Sequence, residues 1–158
     1  MVRPTLEYGN TVWSNGLKKH MNKIENVQRR FTKHVKGMHK FSYEDRLEKL
    51  KLPSIEFRQI RGDMLQVFKV AKKYYDSRST ESLFNFNSDN RLRGHNYKIN
   101  KQATNKSKFQ NFFSNRVVNK WNSLPQELVD AKSINEFKNK FDMLHKDSQF
   151  CINLNYYK

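Results

Sequence analysis

Apolar residues recur along the first part of the chain at helical spacing. Leu17, Met21, Ile24, Phe31 and Val35 fall on one side when successive residues turn by about 100°. Lys19, Lys23, Asn26, Arg30 and Lys33 fall on the other. The pattern predicts an amphipathic helix with its apolar stripe inward and its cations outward, ended near Gly37. In "FSYEDRLEKL", Ser42 with Asp45 three residues later reads as a capping box with Asp in place of Glu. Tyr43, Leu47 and Leu50 share a face of that helix, and Pro53 stops it. Ser54 is placed to cap the next one, over about Ile55 to Tyr75, whose stripe is Ile60, Met64, Val67, Phe68, Ala71 and Tyr75. Gly62 inside that pattern weakens it by about 1 kcal/mol relative to Ala.

Val2 to Trp13 is apolar and partly β-branched, which fits a buried strand or a short buried helix. Asp76 to Ser107 differs. "DSRSTESLFNFNSDN" is rich in Ser, Asn and Asp and reads as loop. "RLRGHNYKIN" fits a short extended segment anchored by Leu92, Tyr97 and Ile99, and "KQATNKSK" is loop again. Helical spacing returns with Phe109, Phe112, Phe113, Val117 and Trp121 and stops at Pro125. "PQELVDA" makes a single turn. Ser133 and Glu136 form a capping box ahead of a stripe of Ile134, Phe137, Phe141 and Leu144. The expectation is a mostly α, small helical domain over 1–158, of about five helices with a long basic central loop. A short strand fits near the N-terminus or at 91–99. The parts are a basic helical half (2–75), a loop-rich segment (76–107), C-terminal helices (108–147) and a fraying tail (148–158).

Composition adds a partner class. The 158 residues make one ordinary domain, and twelve Phe, seven Tyr and two Trp supply apolar bulk for a core. Against 15 Asp and Glu stand 31 Lys and Arg, a formal net charge of +16. Such an imbalance costs self-repulsion in the compact state and favours an anionic partner. One cysteine, Cys151, excludes a disulfide framework and a Cys-rich zinc site. It suits a reducing, intracellular setting, nuclear or cytoplasmic. The N-terminus lacks the apolar run of a signal peptide, and no run of about 18 apolar residues would span a bilayer.

Catalytic signatures are missing. Two-metal polymerases and nucleases converge carboxylates on metals about 4 Å apart. Here the only adjacent acidic pair, Glu44–Asp45, falls in the first turn of a predicted helix, where acids stabilise the dipole. His20, His34, His39, His95 and His145 form no i, i+4 pair and no HExxH motif. No Walker loop or GxGxxG occurs, since the five glycines are isolated. The expectation is a chain without catalysis of its own, without a metal and without a cofactor.

Between Lys18 and Lys40 stand eight Lys and Arg and one acid, Glu25. Phosphates attract such a cluster whatever the base sequence, by releasing condensed counterions. Arg29–Arg30 is suited to clamp one in bidentate fashion. A solvated helix face is the plainer alternative. The candidate nucleic-acid contacts are Lys19, Lys23, Arg29, Arg30, Lys33 and Lys36, joined by Arg91, Arg93 and Tyr97 in "RLRGHNYKI". Tyr97 either stacks on a base or anchors its loop to the core. The partner would be RNA, an RNA–DNA hybrid or DNA. A membrane-surface helix is the rival, but packing on other helices is the simpler use of the apolar stripe, so no membrane partner is expected. The aromatic residues from Phe109 to Trp121 keep helical spacing, which favours core over stacking platform.

"VRPTLEYGNTVWS", "IENVQRRFTKHVKG", "SYEDRLEKLKLPSIEFRQIRGDM", "RGHNYKI" and "FFSNRVVNKWNSLP" together resemble the region after the polymerase core in LINE-type (non-LTR) retrotransposon reverse transcriptases, in particular the jockey-like branch. Each string alone is weak; their order and spacing are the specific feature, from Val2 to about Asp142. The resemblance implies a parent with an endonuclease, then fingers and palm, then a helical thumb and C-terminal segment, of which this chain is similar to the last. The family's catalytic aspartates, in a Phe-x-Asp-Asp motif of the palm, would lie upstream. What the resemblance carries to these positions is grip on a template-primer duplex, placed on Lys19, Lys23, Arg29, Arg30 and Lys33, and packing against the upstream palm. Asn15 stands where relatives tend to have proline, which loosens the turn after Trp13. A start at Met1 inside such a region fits a 5′-truncated copy or a gene fragment. The alternative to a binding module is an orphaned structural fragment that normally packs on the palm.

Overall fold

The computed structural model describes residues 8–14, 17–75, 82–87, 94–103 and 107–151, apart from the side chains of Trp13, Ser107 and Lys108. Its helices are α1 (Asn10–Trp13), α2 (Lys18–Lys33), α3 (Tyr43–Lys49), α4 (Ile55–Ala71), α5 (Ser107–Gln110), α6 (Phe113–Arg116), α7 (Val118–Asn122), α8 (Gln126–Val129) and α9 (Ile134–Leu144). The chain is mostly helical, as its periodicity predicts, but in more and shorter segments.

α4 is the axis of the fold, with α1, α2 and α9 packed against it. Ser54 caps it, its Oγ accepting the Phe57 N–H at 3.2 Å. The helix buries side chains on most of its circumference, from Ile55, Phe57 and Ile60 to Met64, Val67 and Phe68. Around it lie Val117, Val118, Trp121, Leu124, Leu128, Phe137 and Phe141. An aromatic run crosses this core. Phe68 stacks on Phe137 at 4.4 Å between centroids, and Phe141 stacks on His145 at 4.3 Å. Such pairs add about 1 kcal/mol beyond the area they bury.

α4 ends at Ala71, earlier than the stripe running to Tyr75 predicts. Lys73 takes a left-handed φ of 57°. The Tyr74 N–H bonds the Lys69 carbonyl at 2.9 Å and the Lys73 N–H bonds the Val70 carbonyl at 3.0 Å. This pairing is the Schellman motif, which usually advertises itself by glycine. α3 ends the same way, with Lys51 at φ 52° and Leu52 N–H on the Leu47 carbonyl at 2.9 Å. Pro53 signals the stop of α3, but a lysine at the left-handed position hides the stop of α4 from a reading of glycine and proline.

One further expectation needs correction, and one open alternative is decided. The run from Phe109 to Trp121 is not one helix. Phe112 is extended, at ψ 151°, and breaks it. Arg116, on the short helix that follows, turns inward instead of toward water. Its Nε and Nη2 donate to Asp63 Oδ2 and Oδ1, each at 3.0 Å, and its Nη1 donates to the Ser14 carbonyl. The opening segment is a short helix where it is described, not a strand. α1 lies on α4 where Gly62 leaves room: a Cβ there would stand 3.3 Å from the Asn10 side chain. The glycine that weakens α4 thus admits α1.

The segment around "RGHNYKIN" forms an isolated antiparallel bridge, Phe86 to Ile99. Asn122 holds it from α7, accepting the Ile99 N–H at 2.9 Å and donating to the Ile99 carbonyl at 2.8 Å. Trp121 Nε1 donates to the Tyr97 carbonyl at 2.7 Å. His95 is buried between them. Its Nδ1 accepts the Tyr97 N–H at 3.2 Å, which fixes the proton on Nε2 and makes that nitrogen the donor to the Trp121 carbonyl at 2.9 Å. Desolvation lowers its pKa below the ordinary histidine value.

Candidate nucleic-acid interface

α2 is amphipathic, but its inward face is not the predicted one. Met21, Glu25, Gln28 and Thr32 are the residues it buries. Leu17 and Phe31, expected inside, are exposed, as is Val27. Relative to its apolar stripe the helix is rotated by about 50°. The cause is polar. Glu25, 6 % exposed, receives the Glu56 N–H on Oε2 at 3.1 Å and the Tyr43 hydroxyl on Oε1. Ser54 and Glu25 together satisfy two of the orphan N–H groups that open α4, and the carboxylate sits at the positive end of that helix. Gln28 Nε2 donates to Tyr43 Oη and to the Pro53 carbonyl, each at 3.2 Å. Burial, and then the Glu25 carboxylate, push the Tyr43 hydroxyl well above the usual phenol range.

Arg46 fastens the C-terminal turns of α2. Its guanidinium donates to the Phe41 carbonyl at 2.8 Å, to the Arg29 carbonyl at 3.3 Å and to Thr32 Oγ1 at 3.3 Å. The helix that carries the cations is therefore tied to α3 and the start of α4 by hydrogen bonds from its middle to its C-terminal turn. Met21, Tyr43, Leu47 and Ile55 are further buried apolar residues outside the main core.

Lys19, Lys23, Arg30 and Lys33 are all exposed and fall within an arc of about 80° on α2. Among the described residues none of them is paired with a carboxylate. Arg29 is exposed at the edge of this face, its guanidinium 4.9 Å from the centre of the Tyr43 ring. Lys36 is exposed in the loop after the helix. Arg91 and Arg93 lie outside the described residues. Tyr97 is half-buried against the main core, with Lys72 Nζ 4.3 Å from its ring centre. It stands on the loop pinned by Trp121 and Asn122, and no described contact joins it to the α2 face.

What the sequence reading missed is the buried polar set: Glu25, Gln28, Arg46, Asp63, His95 and Arg116. One signal was available. Glu25 and Gln28 sit at spacings of four and seven from Met21, on the apolar side of an otherwise cationic helix.

Beside α4 is a cleft of about 390 Å³ lined by Asn10, Phe57, Arg58, Gln59, Arg61 and Asp142 among others. Arg61 and Asp142 form a bidentate pair across it at 2.6 and 2.7 Å. Among the described residues no group of three His, Cys, Asp or Glu is placed to hold a metal ion, and no helix is long and apolar enough to cross a membrane. Glu44 and Asp45 occupy the first turn of α3, with the Asp45 N–H on Ser42 Oγ at 3.2 Å. Compared with protein-family models, curated proteins and solved structures, the chain finds no match.

Proposed function

We propose that this chain is a non-catalytic nucleic-acid-binding module of a LINE-type reverse transcriptase, gripping phosphates of a template-primer through α2. The observation that carries the reading is the exposed arc of Lys19, Lys23, Arg30 and Lys33, unpaired with any carboxylate among the described residues, on a helix hydrogen-bonded to α3 and the start of α4. A second feature supports it. The first turn of α2 holds Lys18 and Lys19 and no acid, although cations there oppose the helix dipole by about 0.3–1 kcal/mol each. Charge placed against local stability is intelligible where an anion docks. The +16 net charge supplies the long-range field that would steer a polyanion to it.

The reverse-transcriptase parentage rests on the resemblance of the sequence strings, and the structure is consistent with their forming one folding unit. The strings that carry the resemblance contain Glu25, Gln28, Arg46, Asp63, His95 and Arg116, all buried and hydrogen-bonded to other parts of the same strings. Such mutual dependence is what one inherited folding unit would have. Polymerase chemistry would reside in the upstream palm, and this chain would contribute grip alone.

Fluorescence anisotropy with a labelled RNA–DNA hybrid at rising salt tests the reading. Log affinity should fall linearly with log salt, with a slope of about −0.9 for each phosphate engaged on duplex DNA. A flat response rejects phosphate contact.

One observation favours a second reading, in which the chain is an interaction fragment that packs on the palm. Val12 is 88 % and Met143 77 % exposed, apolar side chains that a partner would cover. Size-exclusion chromatography across a concentration series distinguishes the two. A monomer that binds the hybrid supports the first; concentration-dependent association without binding supports the second.

A further inference from the structure

α4 carries a cationic face of its own. Arg58, Arg61, Leu65, Lys69 and Lys72 recur at steps of three and four, and all are half-buried. They fall within an arc of about 80° that runs about 20 Å along the helix and its C-cap. Arg61 is paired with Asp142. Lys69 and Lys72 have no carboxylate partner among the described residues. Aromatic rings hold them instead. Lys72 Nζ lies 4.3 Å from the centre of the Tyr97 ring, and Lys69 Nζ lies 5.8 Å from that of Tyr75. Tyr75 is 40 % exposed, and its hydroxyl donates to Gln66 Oε1 at 2.7 Å. Lys72 stands about 24 Å along the axis from Glu56, where Glu25 attaches α2. This cation pair and the attachment of α2 therefore lie at opposite ends of α4.

We infer that the C-terminal end of α4, with Tyr75 and Tyr97, is a second nucleic-acid-binding surface, which contacts phosphates through Lys69 and Lys72 independently of α2. The inference rests on the nucleic-acid reading above. Charge complementarity chooses the occupant. A ring face positions each ammonium without neutralising it as a carboxylate would, so the charge stays open to a phosphate. Exposed rings beside the lysines suit a partner that carries bases as well as charge. An acidic peptide would use the cations alone. Cations at a helix C-terminus also suit its dipole, a role that shows in stability and not in binding.

Anisotropy with the labelled RNA–DNA hybrid at rising salt tests this in wild type, Lys69→Gln/Lys72→Gln and Lys69→Arg/Lys72→Arg. The glutamine variant should give a log–log slope shallower by about two. The arginine variant keeps both charges and should restore the slope. Acetylation of wild-type lysines, read by mass spectrometry with and without hybrid, probes the same surface with no substitution. The hybrid should protect Lys69 and Lys72, and polyglutamate of equal charge should not. An unchanged slope, a loss that arginine does not restore, equal labelling with and without hybrid, or equal protection by polyglutamate would overturn this surface while leaving the α2 contact standing. Failure of wild type to bind the hybrid would instead overturn the underlying reading.

Discussion

Arg116 and Asp63 meet inside the protein as a two-pronged ion pair, 7 % and 1 % exposed. They join α6 to the middle of α4, and the remaining guanidinium hydrogens reach back to the carbonyls of Ser14 and Asn10. Three distant stretches of chain converge on one side chain. Removing one partner strands a charge in the interior. Arg116→Met or Asp63→Asn should therefore lower unfolding free energy by about 3–5 kcal/mol, whereas the double variant Asp63→Leu/Arg116→Met should recover much of it. Urea denaturation of the three variants checks this.

Glu25 holds the basic helix in place. Glu25→Ala leaves the Glu56 N–H and the Tyr43 hydroxyl without their acceptor. The expected loss is about 2 kcal/mol, with faster amide hydrogen exchange at the start of α4. Ser54→Ala, which removes the other cap, should cost about 1 kcal/mol.

Acid should destabilise the fold through His95 and His145. Both are buried, and desolvation lowers both pKa values below the ordinary histidine value. The folded state then resists protons that the unfolded state takes up. Stability is full above the unfolded histidine pKa of about 6.5 and falls as pH drops through it toward the folded values. Between pH 7 and 5.5 each histidine should remove up to about 1 kcal/mol. His95→Gln, which can keep a donor to Trp121 and an acceptor for Tyr97, should flatten part of the profile followed by thermal melts.

Stability and binding should respond oppositely at the start of α2. Lys19→Glu replaces a cation at the positive end of the helix by an anion, and should raise stability by about 0.5–1 kcal/mol. The same change should weaken nucleic-acid binding. A paired melt and anisotropy titration reads both signs.

Much of this was legible in the sequence, and the failures have physical causes. Ser42, Ser54 and Ser133 announced their caps, and each Oγ accepts the expected N–H. Phe137 and Phe141 followed from helical spacing. The outward cations followed too, because charge finds water whatever the exact rotation of a helix. The rotation itself did not follow. Apolar periodicity ranks residues by transfer free energy, and α2 is oriented by the partners available to Glu25 and Gln28. Those partners, the first turn of α4 and Tyr43, are distant in sequence. Arg116 was hidden for the same reason: nothing local marks which arginine of many is the buried one. Pro53 announced the end of α3, but the lysine at the left-handed end of α4 gave no composition signal, so that stop had to be seen in the backbone.

The most direct test of the central claim compares salt slopes. Lys23, Arg30 and Lys33 are exposed and unpaired with acids among the described residues, so Lys23→Gln/Arg30→Gln/Lys33→Gln should fold as wild type does. Its log–log salt slope on an RNA–DNA hybrid should be shallower by about two to three, roughly one unit for each phosphate that the variant no longer neutralises. An unchanged slope with intact helicity would place the polyanion elsewhere and contradict the account.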